Sequence, residues 1–241
     1  MSVPERPPLL VLHGSMAASS SMSTFAAALP ENVATFVPDL LAHGGRPLPD
    51  LLTMDSLARD VIARLDEEGL SRTFVFGFSL GGTLALYLAR HYPQRFAGVS
   101  TLAAKYVFDK RTIAHWTYVC STDWIVKQGE EIVKRVTLRH APQDWREVAA
   151  LNRRLFEHLG RNPPLSDDDL SAIRCPALLF ASNEDQIVPF DESVALGKLL
   201  PNSRTVLFRG QCHPIDVVPL GPMAKAIANW MDEVSRTAAS A

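Results

Sequence analysis

The chain has 241 residues, 47% of them hydrophobic and 21% charged, which suits one α/β domain or one domain with a modest insertion. A net charge of −2, with Lys and Arg scattered and no basic run interleaved with aromatics, supplies no field that would favour nucleic acid or an anionic membrane. Cys120, Cys175 and Cys212 stand far apart without metal spacing, no run nears eighteen apolar residues, and Met1–Pro8 carries no apolar leader. The expectation is therefore a cytoplasmic protein with reduced thiols, no membrane span, no metal and no cofactor.

Leu9–Leu12 is a continuous apolar run, the mark of a strand buried on both faces, and it ends in the loop His13-Gly14-Ser15-Met16. Val33–Val37 is a second strand candidate, stopped by Pro38 and followed by the loop 39–46. Met54–Leu70 carries Leu57, Val61 and Leu65 at a helical interval. The apolar run Thr73–Phe76 leads into Gly77-Phe78-Ser79-Leu80-Gly81, after which Gly82–Arg90 reads as a helix and Phe96–Leu102 as another strand. From Tyr106 to Gly160 the pattern is helical, with Leu151, Leu155 and Leu159 four apart on one face. Strand and helix alternate again through 176–181, 193–200, 204–208 and a final helix over 222–234, and the tail 237–241 reads as frayed. The expected architecture is α/β: a mostly parallel sheet flanked by helices, with core segments 1–103 and 166–241 and a helical cap insertion over 104–165.

Strand, abrupt turn and helix around Gly-x-Ser-x-Gly form the pattern of a nucleophile elbow. The corner residue, Ser79, is forced into a strained conformation, and Gly77 and Gly81 let the two backbones approach. A serine hydroxyl needs an adjacent base, imidazole suits that task near neutrality, and an acid must fix the imidazole tautomer. On this fold the three follow in the order serine, acid, histidine, each after a strand. Asp185 follows the strand at 177–181, with Glu184 as the alternative acid, and His213 follows the strand at 204–208. His13, His43, His91, His115, His140 and His158 all precede the acid or lie in helical surroundings.

Leu12-His13-Gly14-Ser15, Asp39–Gly44, Gly77–Gly82, Asp185–Pro189 and His213 together resemble the α/β-hydrolase fold superfamily, nearest to small bacterial carboxylesterases. The resemblance covers nearly the whole chain, with 104–165 as the variable cap. It implies an oxyanion hole made by the N–H of Leu80 and that of Ser15, with Met16 as the alternative, while His13 and His43 serve loop architecture. It departs from the family in Cys212 and Asp216, where Gly and Glu are common, and in a missing or abbreviated leading hairpin. Trp116, Tyr118, Trp124, Trp145 and Phe156 either line a pocket between cap and core, with Met16, or form the cap's own small core. Lys127, Lys134 and Arg135 read as solvated helix faces, and Cys212 as a small filler or a redox-sensitive neighbour of His213.

The implied activity is a serine hydrolase acting on an ester or thioester of a small, partly apolar substrate, as a monomer or homodimer. A C–C bond hydrolase or lyase with the same triad, or a non-catalytic receptor, are the rival readings. Chemistry of the dehalogenase kind is disfavoured because relatives of that type carry Asp where this chain has Ser79.

Overall fold

Six short segments without charged side chains in their central members assemble one sheet in the computed structural model, which describes residues 6–185, 187–210, 213 and 215–239. The strands are β1 (Leu9–Leu12), β2 (Thr35–Phe36), β3 (Thr73–Phe78), β4 (Phe96–Leu102), β5 (Ala177–Ser182) and β6 (Ser203–Phe208). They pair in the order β2-β1-β3-β4-β5-β6, and every pairing is parallel. Between them run α1 (Ser23–Ala28), α2 (Met54–Glu67), α3 (Leu80–His91), α4 (Lys110–Val119), α5 (Thr122–Lys127), α6 (Glu130–His140), α7 (Trp145–Arg161), α8 (Asp167–Ser171), α9 (Phe190–Leu199) and α10 (Leu220–Ala239).

The side-chain alternation of a strand divides the core in two. Leu10, Leu12 and Val75 join Leu57 and Val61 of α2, Leu84 and Leu88 of α3 and Leu196 of α9 on one face. Leu9, Val11, Phe74, Phe76 and Phe180 join Phe25 of α1 and Ile227, Trp230 and Met231 of α10 on the other. Helices on both faces explain why β1, β3, β4 and β5 are buried at every residue and read as continuous apolar runs.

The strand expected over 33–37 shrinks to Thr35–Phe36 because it lies at the sheet edge, pairs only with Leu9 and Leu10, and runs into Pro38. The helix expected from Ser193 starts at Phe190, since Pro189 stands outside it and Asp191 and Glu192 favour its first turn. The last helix is longer than expected, from Leu220 to Ala239, so residues 237–239 of the tail are helical. Pro222 sits within its first turn, where a missing N–H costs nothing.

Among the described residues between β4 and β5 only helices and turns occur. Leu151, Leu155 and Leu159 of α7 belong to the same apolar cluster as α2 and α3. Ile125, Val136, Trp145 and Ala149 form a separate small cluster.

Trp230 reaches the sheet because β4 carries Gly98 beneath it: a Cβ there would lie 2.8 Å from two atoms of the indole ring. Gly98→Ala is expected to destabilise the fold by about 1–3 kcal/mol through overpacking. A lowered urea midpoint with an unchanged slope would show it.

Candidate active site

Ser79 is the single residue between the end of β3 and the start of α3, and it holds φ +54° and ψ −119°. Such a conformation costs of order 1–3 kcal/mol outside glycine and persists only where the surroundings impose it. Here they do. Its N–H donates to the Leu102 carbonyl at 3.0 Å, and its carbonyl accepts from Gly82 and Thr83 at 2.8 and 3.1 Å. A Cβ on Gly77 would lie 2.1 Å from the Gly81 carbonyl oxygen, and one on Gly81 would lie 2.4 Å from that of Leu12. Both contacts are backbone on backbone, so no side-chain adjustment relieves them.

The loop after β5 carries Asp185, whose side chain is 2% exposed. Its Oδ1 accepts from the N–H groups of Ile187 at 2.8 Å and Val188 at 3.1 Å, and from His213 Nδ1 at 3.3 Å. Glu184, the alternative acid, is exposed, and its backbone N–H donates to Ser182 Oγ. The His213 ring lies 4.9 Å from that of Phe78, the elbow residue before Ser79. Its Nε2 is buried and has no hydrogen-bond partner among the described residues. The acid and the imidazole are thus joined beside the elbow, while the serine-to-imidazole hydrogen bond is not made. Cys212 lies outside the described residues.

The loop after β1 abuts the elbow, since a Cβ on Gly14 would come 3.3 Å from Ser79 Cβ. Leu80 opens α3, so its N–H belongs to the unpaired first turn. Among the described residues no acceptor engages the N–H of Ser15, Met16 or Leu80. Met16 holds φ +56°.

Three buried histidines frame this loop. His13 donates from Nδ1 to the Gly14 carbonyl and accepts the Leu40 N–H at Nε2. His43 donates from Nδ1 to the Leu41 carbonyl, leaving Nε2 to accept from Asn152 Nδ2 at 3.1 Å. His140 accepts the Gly44 N–H at Nδ1 and donates from Nε2 to the Met16 carbonyl. Burial pushes all three below the ordinary imidazole value, His140 to about 4, with His43 adding to the effect on His13 and His140. Asn152 of α7 completes the set by accepting the Ser15 hydroxyl at 2.7 Å. Cys120 approaches Ser15 Oγ with its thiol at 3.6 Å, and burial drives that thiol up to about 12, far from a reactive thiolate.

Trp116 stacks on Phe156 with ring centres 4.9 Å apart and stands edge-on to His213 at 6.4 Å. Trp124 and Trp145 are different: Trp145 is 2% exposed within the small cluster of Ile125, Val136 and Ala149, and Trp124 packs against that cluster. Of the two readings of these tryptophans, their packing favours the insertion's own small core. Met16 packs against this cluster as well as the main core.

Sequence patterning also misses a buried ion pair at the mouth of the insertion. Lys105 pairs with Glu192 of α9, whose other oxygen accepts the Tyr106 and Val107 N–H groups at 3.1 Å each. Arg139, His140, Asn152 and Glu192 sit on helices whose periodicity announces only a face, not a partner. A groove of about 670 Å³ lined by Phe74, Ala97, Ala177 and Trp230 lies at the opposite, amino-terminal ends of the strands, away from Ser79.

A sequence profile of the alpha/beta hydrolase family matches residues 9–222. The chain is similar to RutD of Pseudomonas savastanoi pv. phaseolicola, provisionally named a carbamate hydrolase, with 25% identity covering 93% of this chain and 94% of that one. It is similar to the pimeloyl-acyl-carrier-protein methyl ester esterase of Aromatoleum aromaticum, with 27% identity over 84% of this chain and 89% of that one. The crystal structure of the enol-lactonase from Burkholderia xenovorans superposes with a TM-score of 0.78 at 15% identity, covering 96% and 94% of the two chains.

Proposed function

Because the chain belongs to the alpha/beta hydrolase family, we propose that it is a serine hydrolase that cleaves a carboxylic ester or thioester of a small, partly apolar substrate. The observation that carries this reading is the Asp185–His213 pair beside the strained Ser79, with the imidazole Nε2 buried and unpartnered among the described residues. A buried acceptor without a donor is costly, and a site that tolerates one holds it for a proton still to arrive. The missing serine contact does not remove His213 from the role, since such hydrogen bonds often tighten only with substrate.

In this mechanism His213 Nε2 takes the Ser79 proton as the serine oxygen attacks the carbonyl carbon. Asp185, held by two backbone N–H groups, keeps Nδ1 protonated and offsets the charge of the imidazolium. The oxyanion lies against the N–H of Leu80 and that of Ser15 or Met16, worth on the order of 3 kcal/mol per donor. His213 then protonates the leaving alcohol or thiol, and water enters by the same path to release the acid. Residues 104–165 act as the cap over this site, and Trp116 with Phe156 offers an apolar wall next to the imidazole. Among the described residues no helix is long and apolar enough to cross a membrane.

A fluorophosphonate probe tests this directly. The folded protein is expected to form an adduct at Ser79 by peptide mass analysis, and neither heat-unfolded protein nor Ser79→Ala should be labelled. Absence of an adduct in folded protein would defeat the reading.

A further inference from the structure

We propose that Arg139, at the end of α6, is a positioning residue that sets the oxyanion donor loop from the cap side, together with Asn152 of α7. This rests on the serine-hydrolase reading above. Arg139 Nη1 donates to the Met16 carbonyl at 2.9 Å, and His140 Nε2 donates to the same oxygen at 3.3 Å. One residue earlier, the Ser15 hydroxyl donates to Asn152 Oδ1 at 2.7 Å. The peptide that bears the Met16 N–H lies between these two anchors, and the Ser15 N–H is attached to the first of them. Both candidate donors are therefore aimed by side chains of the insertion.

The loop needs such anchors. Met16 sits at φ +56°, a conformation a non-glycine side chain keeps only under outside constraint. The guanidinium suits the task because a charged donor makes a stronger hydrogen bond to a carbonyl than a neutral one. Arg139 makes no ion pair with a described carboxylate within 4 Å, and Asp216, on the histidine side of the site, acts on it only at longer range. A half-buried cation is thus committed to one backbone oxygen, that of the loop's strained residue Met16.

Steady-state hydrolysis of a short p-nitrophenyl ester and its thionoester analogue tests this in Arg139→Met, Arg139→Lys and Ser15→Ala. A thiono carbonyl depends less on N–H donors, so the oxo-to-thiono rate ratio reports the oxyanion hole rather than general integrity. Arg139→Met is expected to lower kcat for the oxoester about 10- to 30-fold with KM within about twofold, and to lower the ratio in step. Arg139→Lys should recover part of both. Ser15→Ala, which keeps the backbone N–H and fills no new space, should lower the ratio even where Arg139→Met fails to fold. An unchanged ratio in the folded variants, with turnover still abolished by Ser79→Ala, overturns the positioning role alone. Turnover that survives Ser79→Ala overturns the serine reading and this role with it.

Discussion

Asp185→Asn is expected to lower kcat by about 10³- to 10⁴-fold while leaving the folded structure in place. The two consequences separate because the carboxylate does two jobs through one oxygen. Its Oδ1 accepts the Ile187 and Val188 N–H groups, which shape the loop after β5, and an amide oxygen can accept both. The same atom faces His213 Nδ1, and there the loss is electrostatic. In the proposed mechanism an amide carries no charge to offset the imidazolium that would form as Ser79 gives up its proton. In a pocket where the carboxylate is 2% exposed, water does little to replace it. The check is kcat on a short ester together with the thermal midpoint. A large fall in both would place Asp185 in the scaffold, and a fall in neither would remove it from the proton path.

Acidification is expected to destabilise this protein progressively from about pH 6.5 downward, starting before its carboxylates titrate. His13, His43 and His140 line up with ring centres 5.3 and 5.9 Å apart, all buried. Each uses one nitrogen as acceptor of an N–H, from Leu40, Asn152 and Gly44 respectively. A proton added to His13 or His140 would set two donors face to face, whereas at His43 the Asn152 Oδ1, 3.2 Å from Nε2, partly eases the charge. Arg139 pushes His13 and His140 in the same direction, and Asp39 partly opposes the shift at His43. The unfolded chain takes up these protons as pH drops through about 6.5, while the native state refuses them until lower values, about 4 for His140. Stability is therefore full above the unfolded value and is lost as pH falls through this window. His140 alone accounts for on the order of 3 kcal/mol over that span, and the other two add with the same sign. Urea titrations at pH 8, 6 and 5 measure it, and a constant free energy across them would contradict the argument.

The parts of the molecule legible in the sequence are those set by local rules. The strands β1, β3, β4 and β5 announce themselves because helices cover both their faces, whereas β2 and β6, at the sheet edges, are partly exposed and less sharply bounded. The elbow is legible because backbone crowding demands glycine at 77 and 81. The order of Ser79, Asp185 and His213 follows the order of the strands that carry them. What patterning does not reveal is the traffic between the insertion and the loop after β1. Arg139 and Met16 are 123 residues apart, and nothing near either one names the other. The tryptophans stay ambiguous in the sequence for a related reason: a helical apolar stripe shows that Trp145 is buried, not which of two clusters receives it.

The helical excursion departs after β4 and returns as β5, and these two strands are direct neighbours, Leu102 beside Phe180. Its contour length can therefore drift over generations, or be exchanged by grafting, without reordering the sheet, since doubling such a detour costs only about 0.6 kcal/mol of closure entropy. Two obligations travel with any replacement: a leucine row to roof α2 and α3, and side chains that reach residues 15 and 16. A graft that meets the first and neglects the second would yield a well-folded chimera with sluggish chemistry.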